Sequence, residues 1–290
     1  MFTVDLLLSA LVAGVLLGGF YAAVSLGLTV AFGQLNIVNI AHPAFVILGS
    51  YVAYMCNSRW GLDPILVGLA FTPVFFLIGV GAYRIYYESF ERRDDEALRG
   101  LAFFFGVMFI IEVGLIMVYG VDFRTVQAPY IGQNFKIGAV GVPTRMLVPF
   151  CVSLVMFACV YLYMSRTFNG RAIMAVAQDR LALQLMAADP VRIKQLGFGI
   201  GIGTTALAGA LLIIIIPIEP SIGRLYIGQV FAIAVLAGLG SIPGTLVAAL
   251  VLGIAESLVA TFFGPSWAPA VAFGILLLAL AFRPQGLFGR

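Results

Sequence analysis

The chain has 290 residues, 62% of them hydrophobic and 10% charged, with a formal net charge of +3 and a mean hydropathy of +1.09. Soluble domains carry about a quarter charged residues, so this composition excludes an ordinary soluble enzyme and requires surface that faces lipid. One histidine and no paired cysteines argue against a metal centre; Cys56, Cys151 and Cys159 read as small core residues rather than a disulfide framework.

A helix crosses the hydrocarbon in about 20 apolar residues. In chain order the runs 6–31, 64–83, 101–119, 146–165, 195–218, 244–263 and 267–282 qualify, and 36–56 and 226–240 are shorter or interrupted. The fold class is therefore an all-α polytopic membrane protein of about nine spans (eight to ten), forming one domain over 1–290. The first run has no basic segment before it and exceeds a signal-peptide core, so it reads as a span that is kept. Gly14-x-x-x-Gly18 and Gly199-x-x-x-Gly203 have the spacing of close helix contacts within the subunit. Pro217 and Pro220 end the run that precedes them.

The stretch "LNIVNIAHPAF" (35–45) places Asn36, Asn39 and His42 among apolar neighbours. On a continuous helix these three stay within one broad face. Pro43 has no amide hydrogen and costs the Asn39 carbonyl its helical partner. The helix either kinks there or stops and restarts, with Pro43 as the first residue of a half-helix. Polar groups at such depth line a pathway, or they join helices through bonds worth about 0.6 kcal/mol each; both readings stand. A second break, "AGLGSIPGTLVAAL" (237–250), again sets Gly, Ser and Pro between apolar halves. Two interrupted segments in the two halves of a chain point to a shared central site. Glu112 and Glu256 each lie in an apolar run, as pathway carboxylates or as hydrogen-bonded packing groups. Glu256, on the span after the second break, is the better pathway candidate.

Residues 166–194 hold two short helical patterns. Thr167 or Asn169 caps the first, through about Ala177. Asp179 caps the second, "RLALQLMA", with Pro190 just beyond its end. Neither is long enough to be stable alone in water. They pack on the underside of the membrane domain or on a soluble partner.

Lysine and arginine in short loops set the orientation. Loops 84–100 and 166–194 and the C-terminal tail carry eleven, against five in the remaining loops. The first set is expected in the cytoplasm, with the N-terminus outside and the C-terminus inside. Loop 120–145 then lies outside, as a connector or a docking surface. There is no G-x-x-x-x-G-K-[ST], H-E-x-x-H or G-x-S-x-G. The chain reads as non-catalytic, and any ATP is bound by another subunit.

Four stretches resemble one known family: "GGFYAAVSLGLTVAFGQLNIVNIAHPAF" (18–45), "GRAIMAVAQDRLALQLMAADPVRIKQLGF" (170–198), "VLAGLGSIPGTLVAALVLGIAES" (235–257) and "FRPQGLFG" (282–289). The chain resembles the permease subunits of bacterial branched-chain amino-acid ABC importers nearly end to end. The resemblance implies an inner-membrane permease paired with a like or related permease, two cytoplasmic ATPases that bind ATP and Mg, and a periplasmic substrate-binding protein. It implies no cofactor in this chain. It also implies ATPase coupling through Gly170, Arg171, Asp179, Arg180, Leu185, Met186 and Asp189. The expected substrate pathway comprises Asn36, Asn39, His42, Pro43 and Glu256. Pro43 replaces the family's usual glycine, and the departure falls at that pathway. Relatives of the family move urea, short amides or aromatic acids. The alternatives are a passive small-solute channel and a gradient-driven carrier. Neither needs the cytoplasmic helices, and the second Asn-Pro-Ala-like box of aquaporin-type channels is missing.

Overall fold

The computed structural model describes residues 4–91, 96–137, 140–176, 178, 183–184, 188–283 and 285–288. Helix α1 (Val4–Leu28) continues into a π-helical turn, Thr29–Gln34. There follow α2 (His42–Trp60), α3 (Pro64–Ser89), α4 (Glu96–Tyr119), α5 (Thr144–Arg166) and the short α6 (Phe168–Val176). The second half holds α7 (Pro190–Ile215), α8 (Gly223–Ala237), α9 (Ile242–Phe262) and α10 (Ala268–Phe282). Between α4 and α5 a small hairpin pairs β1 (Asn134–Ile137) with β2 (Val140–Pro143), antiparallel, Asn134 opposite Pro143. Among the described residues eight helical segments are long and apolar enough to cross a membrane. The interrupted segment expected at 36–56 corresponds to α2 only from His42 onward, and α2 is not among the eight.

Three helices begin alike. Asp63, Asp189 and Ser241 each accept a hydrogen bond from an amide of the first turn, at 2.8, 2.9 and 3.1 Å, and each has a proline one or two residues on. Such a cap satisfies an amide the helix leaves free, and proline there loses nothing because that amide has no helical partner. Pro190 therefore opens α7.

Helix α7 is the centre of the bundle, with 94% of its apolar window buried. Its glycines let neighbours approach to backbone contact. Gly199 meets Phe76 and Val80 of α3, Gly201 meets Gly27 of α1, and Gly209 meets Val46 of α2. This is the close packing expected of Gly199-x-x-x-Gly203. The other spaced pair, Gly14 and Gly18, lies against Ile254 and Leu250 of α9, so the two helices run antiparallel. Ser257 donates to the Ala10 carbonyl, and the hydroxyls of Thr29 and Thr245 lie 2.9 Å apart, extending the contact toward the π turn.

Cys56 is buried, but Cys151 and Cys159 are exposed on α5, which corrects the expectation that all three are core residues. Lipid is as apolar as the core, so an apolar run does not reveal which side faces in. Loop 120–143 is tied to the bundle: Arg124 pairs with Ile218 in an isolated bridge, and the Asn57 side chain accepts from the Gln127 N–H and donates to the carbonyls of Gln127 and Leu62.

Candidate functional site

After the π turn the backbone leaves helical geometry from Asn36 to Ala41. Asn36 has φ of 56°, the left-handed region, which asparagine tolerates better than most residues. Ile37 N–H donates to the Ala31 carbonyl at 3.0 Å, and His42 N–H to the Asn39 carbonyl at 3.3 Å. Helix α2 then starts at His42 with Pro43 in its first turn. Of the two geometries open to the sequence, the chain stops and restarts. The shared helical face expected of Asn36, Asn39 and His42 is overturned, because the first two are not in a helix. Asn36 is exposed, whereas Asn39 and His42 are fully buried.

The restart lies deep. His42 Nε2 is 2.8 Å from the Val24 carbonyl oxygen in the C-terminal part of α1, and its ring lies over Gly27. Ten residues separate Val24 from Gln34, about 15 Å of helix. Around it, His42 Nδ1, both polar atoms of the Asn39 side chain and Ser25 Oγ are buried without a hydrogen-bond partner among the described residues. An unsatisfied buried polar atom costs about 1–3 kcal/mol. A group of them at a mid-bundle helix break is a place where a passing solute can find donors and acceptors.

The second break spans Gly238 to Ser241. Gly238 and Gly240 have φ of 88° and 85°, values glycine adopts without steric cost. Gln34 Nε2 donates to the Gly240 carbonyl, and a Cβ on Gly33 would lie 2.1 Å from Gly240 N. The second break is therefore joined to the π turn that leads into the first, although α9 begins beside Gln34 and α2 begins beside Val24. The C-terminal segment closes on the same place, with Leu287 N–H donating to Leu236 at 2.8 Å and Phe288 N–H to Ala237 at 3.2 Å.

The intramembrane carboxylates differ. Glu112 receives two hydrogen bonds from the Arg224 guanidinium, at 2.9 and 2.6 Å, which pins α4 to the first turn of α8. Glu256, 2% exposed, accepts a hydrogen bond from the Tyr21 hydroxyl, and Gln229 Nε2 lies 3.4 Å from its other oxygen.

At the opposite side from the hairpin, Thr167 accepts a hydrogen bond from Gly170 N–H and caps α6, as its sequence suggests. Gly170 sits where a Cβ would come 2.3 Å from the Tyr163 carbonyl, so it allows the tight α5–α6 turn. Ile173 and Val176 are buried, while Arg171 is exposed. Asp189 caps α7 and lies 3.4 Å from Arg192. Asp179, Arg180, Leu185 and Met186 lie outside the described residues. Lys194 is 2.5 Å from Glu91, which also accepts from the Tyr83 hydroxyl at 2.8 Å, joining the adjacent ends of α3 and α7.

Tyr21, Ser25, Gln34 and Gln229 join these sites without having been singled out in the sequence. Each is one polar residue on an apolar helix. The only signal for Tyr21 is indirect: the Gly14 and Gly18 contact with α9 carries it toward Glu256.

The family described as the permease component of the branched-chain amino acid transport system matches residues 10–280. The high-affinity branched-chain amino acid transport system permease protein BraD of Pseudomonas aeruginosa is 32% identical, over 98% of this chain and 96% of its own length. LivH of Escherichia coli, a permease protein of the same description, is 28% identical over 96% of this chain and 94% of its own. LivM of the same organism, also a permease protein of that description, is 24% identical over 92% of this chain and 67% of its own. Eight apolar helices among the described residues, a polar helix break in the interior and a family match over nearly the full length give one conclusion: the chain belongs to the permease-component family of the branched-chain amino acid transport system.

Proposed function

We propose that this permease is the membrane subunit of an ATP-driven importer for branched-chain or similar aliphatic amino acids in a bacterial inner membrane. The observation that carries the reading is the family match over 10–280 in a chain whose interior polar groups cluster at a mid-bundle helix restart. The pathway runs past Asn36, Asn39, His42 and Pro43, with Glu256 nearer the hairpin end. The end holding α6, Gln34 and the C-terminal segment faces the cytoplasm, and the N-terminus faces outside, in keeping with eleven basic residues against five.

Gly170, Arg171, Asp179, Arg180, Leu185, Met186 and Asp189 form the coupling segment, seated on one of two cytoplasmic ATPases. The second permease is a related chain, in keeping with similarity to both LivH and LivM. A periplasmic binding protein delivers the substrate. ATP and Mg are held by the ATPases, and this chain performs no catalysis of its own.

The test is mild-detergent purification of the chain co-expressed with its genomic neighbours, followed by mass spectrometry and reconstituted uptake of L-leucine. Recovery of one ATPase per permease, with uptake that requires ATP, establishes the reading. A chain that purifies alone and passes solute without ATP overturns it.

A further inference from the structure

Three glutamates are buried among the described residues, and two of them have a basic partner. Glu91 has Lys194, and Glu112 has Arg224. Glu256 has neither, among the described residues. Its hydrogen-bond partners are neutral, the Tyr21 hydroxyl and the Gln229 amide. Each of its two oxygens lies within reach of one of these groups. Gln229 Oε1 beside it is a buried acceptor with no partner. A buried carboxyl with no basic partner among the described residues and an unused acceptor beside it suit a ligand that brings positive charge and several donors.

Such a ligand has room. Glu256, Tyr21 and Gln229 line a cavity of about 340 Å³, at the small end of the roughly 300–1,000 Å³ range of solute sites. The rest of its wall is largely apolar and includes Leu17, Met146, Ala260 and Pro269. Met146 lies in the first turn of α5 and Pro269 in the first turn of α10, so the cavity reaches toward the hairpin end of the bundle. Ser257 and Thr261 also border it, but their hydroxyls already donate to the carbonyls of Ala10 and Ser257. Among the described residues no basic side chain lines it.

We propose that this cavity binds a primary ammonium group carried on a small apolar body, with the ammonium held by the Glu256 carboxylate and Gln229 Oε1. Resting on the importer reading above, the solute is an aliphatic amino acid that enters ammonium first. Its side chain lies on the apolar wall, and its carboxylate points back to the mouth. Glu256 is then a specificity residue: it selects for the amino group, and the wall selects for a hydrocarbon side chain. An ethanolamine lipid headgroup offers the same ammonium chemistry.

The test uses the full-length chain, with the partners that co-purify, in phosphatidylcholine nanodiscs without ATP. The probe is radiolabelled 3-methylbutylamine, with 4-methylpentanoate as the competitor that keeps the body and lacks the ammonium. Saturable amine binding that 4-methylpentanoate does not displace is expected. Glu256→Gln is expected to weaken it by about tenfold or more. Ala260→Phe, which fills the cavity and keeps the carboxylate, is expected to abolish it, with both variants keeping the wild-type unfolding temperature. Wild-type affinity in Glu256→Gln, or equal competition by 4-methylpentanoate, overturns the proposal. Repeating the binding with phosphatidylethanolamine in the disc separates the sources: unchanged binding assigns the site to a solute, and displacement assigns it to the lipid headgroup. Amine binding without ATP-driven leucine uptake defeats the importer reading alone. Normal uptake with no amine binding defeats this one alone.

Discussion

His42 Nε2 and the Val24 carbonyl oxygen stand 2.8 Å apart in the interior of the bundle. The carbonyl can only accept, so the ring donates from Nε2 and leaves Nδ1 as an acceptor. One hydrogen bond thus fixes the first residue of α2 against the C-terminal part of α1 and leaves the other ring nitrogen without a partner among the described residues.

Replacing His42 by glutamine and by leucine separates these roles. The glutamine amide reaches about as far as Nε2 and can still donate to Val24, so His42→Gln is expected to keep stability and most uptake. Leucine fills the space without a donor. An intramembrane hydrogen bond is worth about 0.6–1.7 kcal/mol, so His42→Leu is expected to lower the unfolding temperature slightly and uptake strongly. Equal uptake by the two variants shows that the donor does not matter.

Asp189 caps α7, and a substitution pair separates that role from the coupling role proposed for it. As the α7 cap it needs only a side-chain oxygen, which asparagine supplies nearly as well. As a charged coupling residue it needs its carboxylate. Asp189→Ala is expected to cost about 1 kcal/mol of stability through the lost cap, and Asp189→Asn very little. Uptake measured in Asp189→Asn then reads the charge alone. Loss of uptake there, with wild-type stability, places the carboxylate in coupling, whereas normal uptake limits Asp189 to capping.

The spans are legible because length and hydropathy fix them without reference to neighbours. Their ends move by a turn or more where a local device intervenes, as with Asp189 and Pro190, which start α7 five residues before the apolar run at 195. Pro43 discloses that the chain breaks. It does not disclose the path of 36–41, which follows from non-local contacts of Gly27 with Gly201 and the His42 ring. The π turn at Thr29–Gln34 has no letter that announces it. Arg224, counted as a loop residue from sequence, turns out to lie in α8 and pair with Glu112, because the partner comes from 112 residues away.

Orientation is tested by labelling. With Cys56, Cys151 and Cys159 replaced by serine or alanine, Gln133→Cys beside the hairpin and Arg171→Cys on α6 are exposed single thiols. A membrane-impermeant maleimide added to intact spheroplasts is expected to modify position 133 and spare position 171. Inverted vesicles are expected to show the reverse. Labelling of 171 from outside overturns the charge-based orientation.

Gly33 and Gly240 join the π turn before the first break to the second break, and their contact gives the sharpest test of whether the two work as a unit. A Cβ on Gly33 meets Gly240 N at 2.1 Å, and one on Gly240 meets the Gly33 carbonyl at 2.8 Å. Both clashes are with backbone, so no side-chain rotation relieves them. Gly240→Ala also places alanine at φ of 85°, a strain of about 1–3 kcal/mol. Each single variant is expected to insert, to unfold at lower temperature and to transport poorly. Once one alanine has forced the segments apart, the second meets little further resistance. The double variant is therefore expected to lose less than the two single losses together, a coupling of about 0.5–3 kcal/mol for residues in contact. Unfolding temperatures and uptake rates of the four chains give that coupling directly. Strict additivity in both means that the π turn of the first half and the break of the second respond independently, and the pathway is then assigned to the His42 restart alone.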